Sequence, residues 1–279
     1  MSAHTSAGID GDVSETVIDA HDPIGIVRLN RPRRGNSVTP EVVTAMGEAV
    51  RELGETDSVR AVVLTGTGSV FCAGADVQDM YSVYRDDGAD GLTDYLGQTW
   101  MPAVQRTVRM LWATPKPLVA AFNGAATAGG LDFGLTCDMR VAATTARFAE
   151  SYVNLGMVPV AGGIYLLPRL IGHSAAMELL ASGRIIDAAR AQELRLVDDV
   201  CEPGDLMANA TALAERLTAG PDATFAALKR VARQTAGPEL DATLRASLQA
   251  NIDLIARDDV RSRILAVMEQ FSLRADPAR

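Results

Sequence analysis

The chain has 279 residues, a net charge of −9 at neutral pH, 48% hydrophobic and 22% charged residues, proportions ordinary for a globular chain of one large domain or two small ones. The acidic balance argues against nucleic acid or an anionic membrane as partner, and no uninterrupted apolar run reaches the roughly 18 residues that cross a bilayer. Cys72, Cys137 and Cys201 form no CxxC pair and His4, His21 and His173 no metal-ligand spacing, so neither a disulfide framework nor a metal site is expected.

Residues 1–13 are polar, lack the apolar core of a secretory signal, and read as the flexible tail of a cytoplasmic protein. Thr16–Ala20 and Ile24–Leu29 flank His21-Asp22-Pro23 as strand, turn and strand. Asn30-Arg31-Pro32-Arg33-Arg34-Gly35-Asn36 is the most basic loop of a chain whose only lysines are Lys116 and Lys229. Its guanidinium groups read either as a phosphate clamp or as solvated surface charge. Thr39-Pro40 starts a helix, as cap and first residue, that runs to about Leu53.

Ala61–Thr65 is a buried strand ending in Gly66-Thr67-Gly68, but Phe71 stands where a dinucleotide fingerprint needs its third glycine. Instead Val70-Phe71-Cys72 runs into the small turn Ala73-Gly74-Ala75-Asp76. A helical stretch over about 77–112 follows; its Tyr81, Tyr84 and Tyr95 either line an apolar pocket or belong to an ordinary amphipathic face. Pro117–Phe122 is again a short buried strand, and Asn123-Gly124 opens a second run of small residues to Gly129-Gly130. Leu131–Met139 reads as a helix, so the glycines fall where helical N–H groups lack partners and favour negative charge. Asp132 sits in that first turn, either as a cap or as an acid beside a pocket of backbone donors. Two such turns meeting at one point would form an oxyanion hole.

Strands at Asp138–Ala142 and Arg147–Ala149 lead to the loop Glu150–Pro159 and the pair Gly162-Gly163. Helices follow at about 161–171, 174–183 and 187–193, the last capped by Asp187, then a strand at Leu196–Cys201. From Asp205 the pattern is helical throughout, at 205–218, 222–235, 238–256 and 258–271. The expected organisation is an α/β core over 14–203 and a helical region over 204–279, of the kind that packs on a neighbouring subunit and reaches the ligand site.

Four motifs in order resemble the crotonase, or enoyl-CoA hydratase/isomerase, superfamily. They are Val27–Pro32 with Asn36, Phe71–Asp76, Asn123-Gly124 through Gly129-Gly130, and Leu155–Pro159 with Gly162-Gly163. The resemblance implies a crotonase-like spiral of ββα units with a helical C-terminal extension, assembled as a homotrimer or dimer of trimers. It implies an acyl-CoA or enoyl-CoA thioester as ligand, with no cofactor beyond the coenzyme A of the substrate. Its carbonyl would meet the N–H groups of Ala75 and Gly129, which stabilise an enolate in the transition state. Ala73 and Asp76 would flank the bound ester, Arg31, Arg33 and Arg34 would lie near the CoA phosphates, and Lys229 would reach a phosphate from the tail.

The chain departs from the family's two-glutamate hydratases. The first acid falls at Asp132, one methylene shorter, and the second at Tyr152, a phenol of reference pKa about 10 and a weak base near neutrality. Glu150, two residues earlier, substitutes only if the loop turns differently, and the acid that some isomerases carry later is Val160 here. The expected function is hydratase or isomerase chemistry with Asp132 moving the proton and Tyr152 as a hydrogen-bond donor. Other enolate chemistry (hydrolysis, decarboxylation, C–C cleavage) and a quiet acyl-CoA-binding homologue are the alternatives.

Overall fold

The computed structural model describes residues 15–234 and 236–275; the tail expected over residues 1–13 lies outside them. An antiparallel pair, β1 (Thr16–His21) and β2 (Ile24–Leu29), opens the described chain. After α1 (Pro40–Glu55) come three strand pairs: β3 (Ala61–Gly66) with β4 (Val70–Cys72), β5 (Leu118–Phe122) with β6 (Ala125–Thr127), and β7 (Met139–Ala143) with β8 (Arg147–Ala149). The first member of each pair enters a six-stranded sheet and the second a four-stranded one. Helices separate the pairs: α2 (Val77–Asp94) and α3 (Met101–Ala113) after β4, α4 (Gly129–Thr136) after β6. This is the expected spiral of ββα units.

The sequence chemistry explains the repeat. β3 and β5 are buried along their whole length, as central parallel strands covered on both faces must be. Asparagines then turn the chain from one sheet to the other. Asn123 donates to the Gly68 and Val70 carbonyls at 2.8 and 3.1 Å and accepts from the Gly66 N–H at 3.1 Å. Asn36, fully buried, donates to the same Val70 carbonyl at 2.6 Å and to that of Thr67 at 3.0 Å. The asparagines of two motifs therefore work as corner braces.

Beyond β8 lie α5 (Gly163–Ile171), α6 (His173–Ser182), β9 (Ile186–Asp187), α7 (Ala188–Glu193) and β10 (Asp199–Cys201), with Asp187 capping α7 as expected. The tail forms α8 (Leu206–Leu217), α9 (Asp222–Gln234), α10 (Ala236–Ile255) and α11 (Asp258–Ala275). Two expectations are corrected. The stretch 77–112 is not one helix: Gly88 leaves helical backbone at φ +73°, and a π-helical turn, Tyr95–Trp100, precedes α3, where Pro102 supplies no N–H. The helix expected over Leu131–Met139 starts at Gly129 and stops at Thr136, because Asp138 turns to accept the Leu118 N–H at 2.8 Å.

The main core fills the space between the two sheets and helices α1, α3 and α4. A second cluster covers the other face of the larger sheet, where Ile24, Ala61, Val63, Val119 and Val141 meet Leu206, Ala210, Leu213 and Ala214 of α8. So α8, on the far side of the expected 203/204 division, completes the sheet's packing. The later helices close over the loop after β8. The Asn251 amide of α10 pairs with both backbone groups of Val158 at 3.0 Å, and Val260 of α11 packs against Gly156. Among the described residues no helix is long and apolar enough to cross a membrane.

Candidate active site

Two turns at the ends of β4 and β6 build the site. Val38 runs beside the first: its N–H donates to the Gly74 carbonyl at 2.8 Å and its carbonyl accepts from the Asp76 N–H at 3.0 Å. Alternation along the chain leaves the intervening Ala75 N–H facing the other way, without an acceptor among the described residues. In the second turn the Ala128 N–H donates to Ala149 at 2.9 Å, and Gly129 then begins α4 with its own N–H beyond the reach of any intrahelical acceptor. The turns lie against each other. A Cβ on Gly74 (φ +88°) would stand 3.0 Å from the Thr127 carbonyl and 3.5 Å from the Gly129 nitrogen; one on Gly130 would overlap the Cys72 carbonyl. Only glycine allows that approach.

Asp132 lies one turn along α4 with no exposure, and the Tyr152 hydroxyl donates to its Oδ2 at 3.0 Å. That hydroxyl also sits 3.3 Å from where a Gly129 Cβ would be, so the phenol stands between the glycine donor and the acid. Glu150 joins them. It is 1% exposed, and a Cβ on Gly163, at the start of α5, would collide with Asp132 Oδ1 and stand 3.0 Å from Glu150 Oε1. The loop does turn Glu150 inward, at the point where β8 runs into a 3-10 turn (Ser151–Leu155).

The electrostatics follow from burial. Loss of hydration raises the Asp132 carboxyl to about 6, against the neighbouring Glu150 carboxyl, the Tyr152 hydroxyl and the nearby Gly163 and Ala161 backbone, which hold it down. Burial, then the Asp132 charge, pushes Glu150 well above the usual carboxylate range and Tyr152 above the usual phenol range. The site thus offers unpartnered backbone donors, a phenol and two carboxyls whose proton affinities are driven apart.

The remaining sequence candidates fall outside this cluster of donors and acids. Asp76 caps α2, accepting from the Gln78 and Asp79 N–H groups at 3.1 and 3.2 Å, and pairs with Arg31 at 2.9 Å. Arg31 also pairs with Glu15 at 2.9 Å and donates to the Ser37 carbonyl at 2.7 Å, so both side chains clasp the loop instead of facing a ligand. Arg33 and Arg34 are exposed, and Ala73, also exposed, accepts from Thr127 Oγ1 at 3.0 Å. Lys229, expected to reach a phosphate from the tail, is instead buried, paired with Asp138 at 2.6 Å and bonded to the Lys116 carbonyl at 2.8 Å. Tyr95 is tied to Asp79, while Tyr81 and Tyr84 pack side by side at 6.3 Å between ring centres, partly buried against the core.

Comparison with known proteins gives the same direction at every level. The family pattern described as enoyl-CoA hydratase/isomerase matches residues 19–274. YngF of Bacillus subtilis is 36% identical over 208 residues, covering 74% of this chain and 76% of the relative. The short-chain-enoyl-CoA hydratase of Clostridium acetobutylicum is 28% identical over 260 residues, 93% of this chain and 96% of that protein. The crystal structure of enoyl-CoA hydratase from Bacillus halodurans superposes with a TM-score of 0.81 at 25% identity, over 91% of this chain and all of that one (100%).

Proposed function

The chain belongs to the enoyl-CoA hydratase/isomerase family, and from that premise we propose that it hydrates a 2-enoyl-CoA thioester through an enolate held by Ala75 and Gly129. The observation that carries this reading is the contact of the two turns, which brings two unpartnered amide donors together one helical turn from buried Asp132. The thioester oxygen sits between the N–H groups. As water adds at C3, negative charge moves onto that oxygen, where fixed donors and the positive end of α4 stabilise it. Asp132, largely ionised at neutral pH, takes the proton from water while the C3–O bond forms, and then returns it to C2 as the enolate collapses to the thioester. Tyr152 fixes Asp132 Oδ2 and borders the reacting carbons. The reaction so read uses no cofactor, the coenzyme A being part of the substrate.

Exposed Arg33 and Arg34 are the cations left to meet the CoA phosphates. A homotrimer or dimer of trimers belongs to the same reading, and exposed Leu228 and Val231 on α9 give it apolar surface to bury.

The test is the ultraviolet loss of the conjugated thioester on adding crotonyl-CoA, followed against pH. Expected is hydration whose kcat/KM rises with pH through an apparent value near 6, as Asp132 ionises. A protein that binds crotonyl-CoA and does not hydrate it would move the assignment to double-bond isomerisation, which a single shuttling carboxylate performs.

A further inference from the structure

Resting on the reading of Asp132 as the base, we infer that Glu150 is the protonated half of an acid–carboxylate pair, its O–H donating to Asp132 and keeping that residue ionised. Glu150 is then a positioning residue, acting through Asp132 instead of touching substrate.

The geometry requires a proton at this place. Asp132 Oδ1 and both Glu150 oxygens are buried, and with both groups ionised none of the three accepts a hydrogen bond of ordinary geometry from the described residues. Asp132 Oδ1 and Glu150 Oε1 crowd the same point at the start of α5. Two bare carboxylates there would repel each other in a site that excludes water. One proton removes a charge and supplies the missing donor.

The surroundings decide which residue holds it. Asp132 faces the Tyr152 hydroxyl from the 3-10 turn, the Gly163 and Ala161 backbone from the start of α5, and Glu150 from the end of β8. Those groups favour charge on Asp132. Glu150 faces Asp132 and the Tyr152 phenol, neither of which stabilises a charge on it, and among the described residues no arginine, lysine or histidine acts on Asp132 or Glu150. The negative charge therefore rests on Asp132 and the proton on Glu150, the same order as their proton affinities.

Two variants and two readouts test the pair. Glu150→Gln keeps a donor toward Asp132 without a titratable proton, whereas Glu150→Leu fills similar space without a donor. In infrared difference spectra at neutral pH, the wild-type protein should show the carbonyl stretch of a protonated, buried carboxylic acid, lost in Glu150→Gln. In crotonyl-CoA hydration, Glu150→Gln should keep the rising limb of the pH profile in place. Glu150→Leu should move it up by about one unit or more, with a loss of about tenfold at pH 5. A missing band, a band that survives Glu150→Gln, or two variants equally impaired would overturn the inference. The infrared arm needs no turnover, so a protein inactive on crotonyl-CoA that still shows the Glu150 band would fail the hydratase reading and leave the pair standing.

Discussion

Replacing Asp132 by asparagine is expected to lower crotonyl-CoA hydration by about 10²–10⁴-fold, the range for losing a general acid–base group, while making the fold more stable at neutral pH. The catalytic loss follows from the amide's inability to take a proton in the place where Asp132 meets Tyr152. The gain in stability follows from the cost of burying the charge. The Asp132 carboxyl titrates near 6 in the folded chain against a reference of 3.8. At roughly 1.4 kcal/mol per unit, ionised Asp132 costs the fold about 3 kcal/mol at neutral pH. The sign is explicit. Between pH 4 and 6 the native state binds more protons than the unfolded one, so stability falls as pH rises through this window; the share of Asp132 levels off above it, while protonated Glu150 carries the fall to higher pH. The Asp132→Asn substitution removes the Asp132 share of that slope, and the new amide can donate toward Glu150 while its oxygen accepts from Tyr152. Urea denaturation at pH 4.5 and pH 7 measures the difference; a variant less stable than wild type at pH 7 contradicts this account of the site.

The second large effect is on stability alone. Asp138→Ala is expected to cost about 3–5 kcal/mol, the range for leaving a buried charge without its partner. Asp138 Oδ2 accepts from Lys229 Nζ at 2.6 Å and from the Leu118 N–H at 2.8 Å, and Oδ1 accepts from Arg233 at 2.7 Å. The Lys229 side chain is 5% exposed and that of Arg233, stacked over Trp112, is 14% exposed. Burial already draws Lys229 down to about 8 against the pull of Asp138. Without that carboxylate two cations remain in one dry corner where α9 meets the start of β5. Chemical denaturation reads the loss, and a change below about 1 kcal/mol would mean that water reaches the corner.

This cluster also shows where sequence reasoning stops. Lys229 reads in the sequence as a tail cation able to reach a phosphate, because no local pattern says that Asp138, in the distant turn between α4 and β7, lies beneath it. Arg31 and Asp76 belong to two separate motifs, and only the folded chain shows that they pair with each other. The elements that local chemistry does specify are the ones the fold reproduces. Thr39-Pro40 starts α1, Asp187 caps α7, and the apolar runs at 61–65 and 118–122 are central strands. Gly130 is legible as a close-approach residue, since a run of small residues between strand and helix has few other uses. Glu150 is not, because its inward turn depends on how β8 hands over to the 3-10 turn, and that is set by packing from α5, α6 and α11. The long stretch after Asp76 misleads for the opposite reason: its helical pattern is real, while the break at Gly88 and the π-turn are small local departures that periodicity averages away.

If backbone donors at Ala75 and Gly129 stabilise a thioester enolate whose proton Asp132 moves, a saturated thioester should lose and regain its α-protons in the site. Exchange of the α-protons of butyryl-CoA in heavy water, followed by NMR, tests this without asking which product the enzyme releases. Enzyme-dependent exchange is expected in the wild-type protein, with near-complete loss in Asp132→Asn. Binding of butyryl-CoA without exchange, or exchange undiminished in the variant, would contradict it.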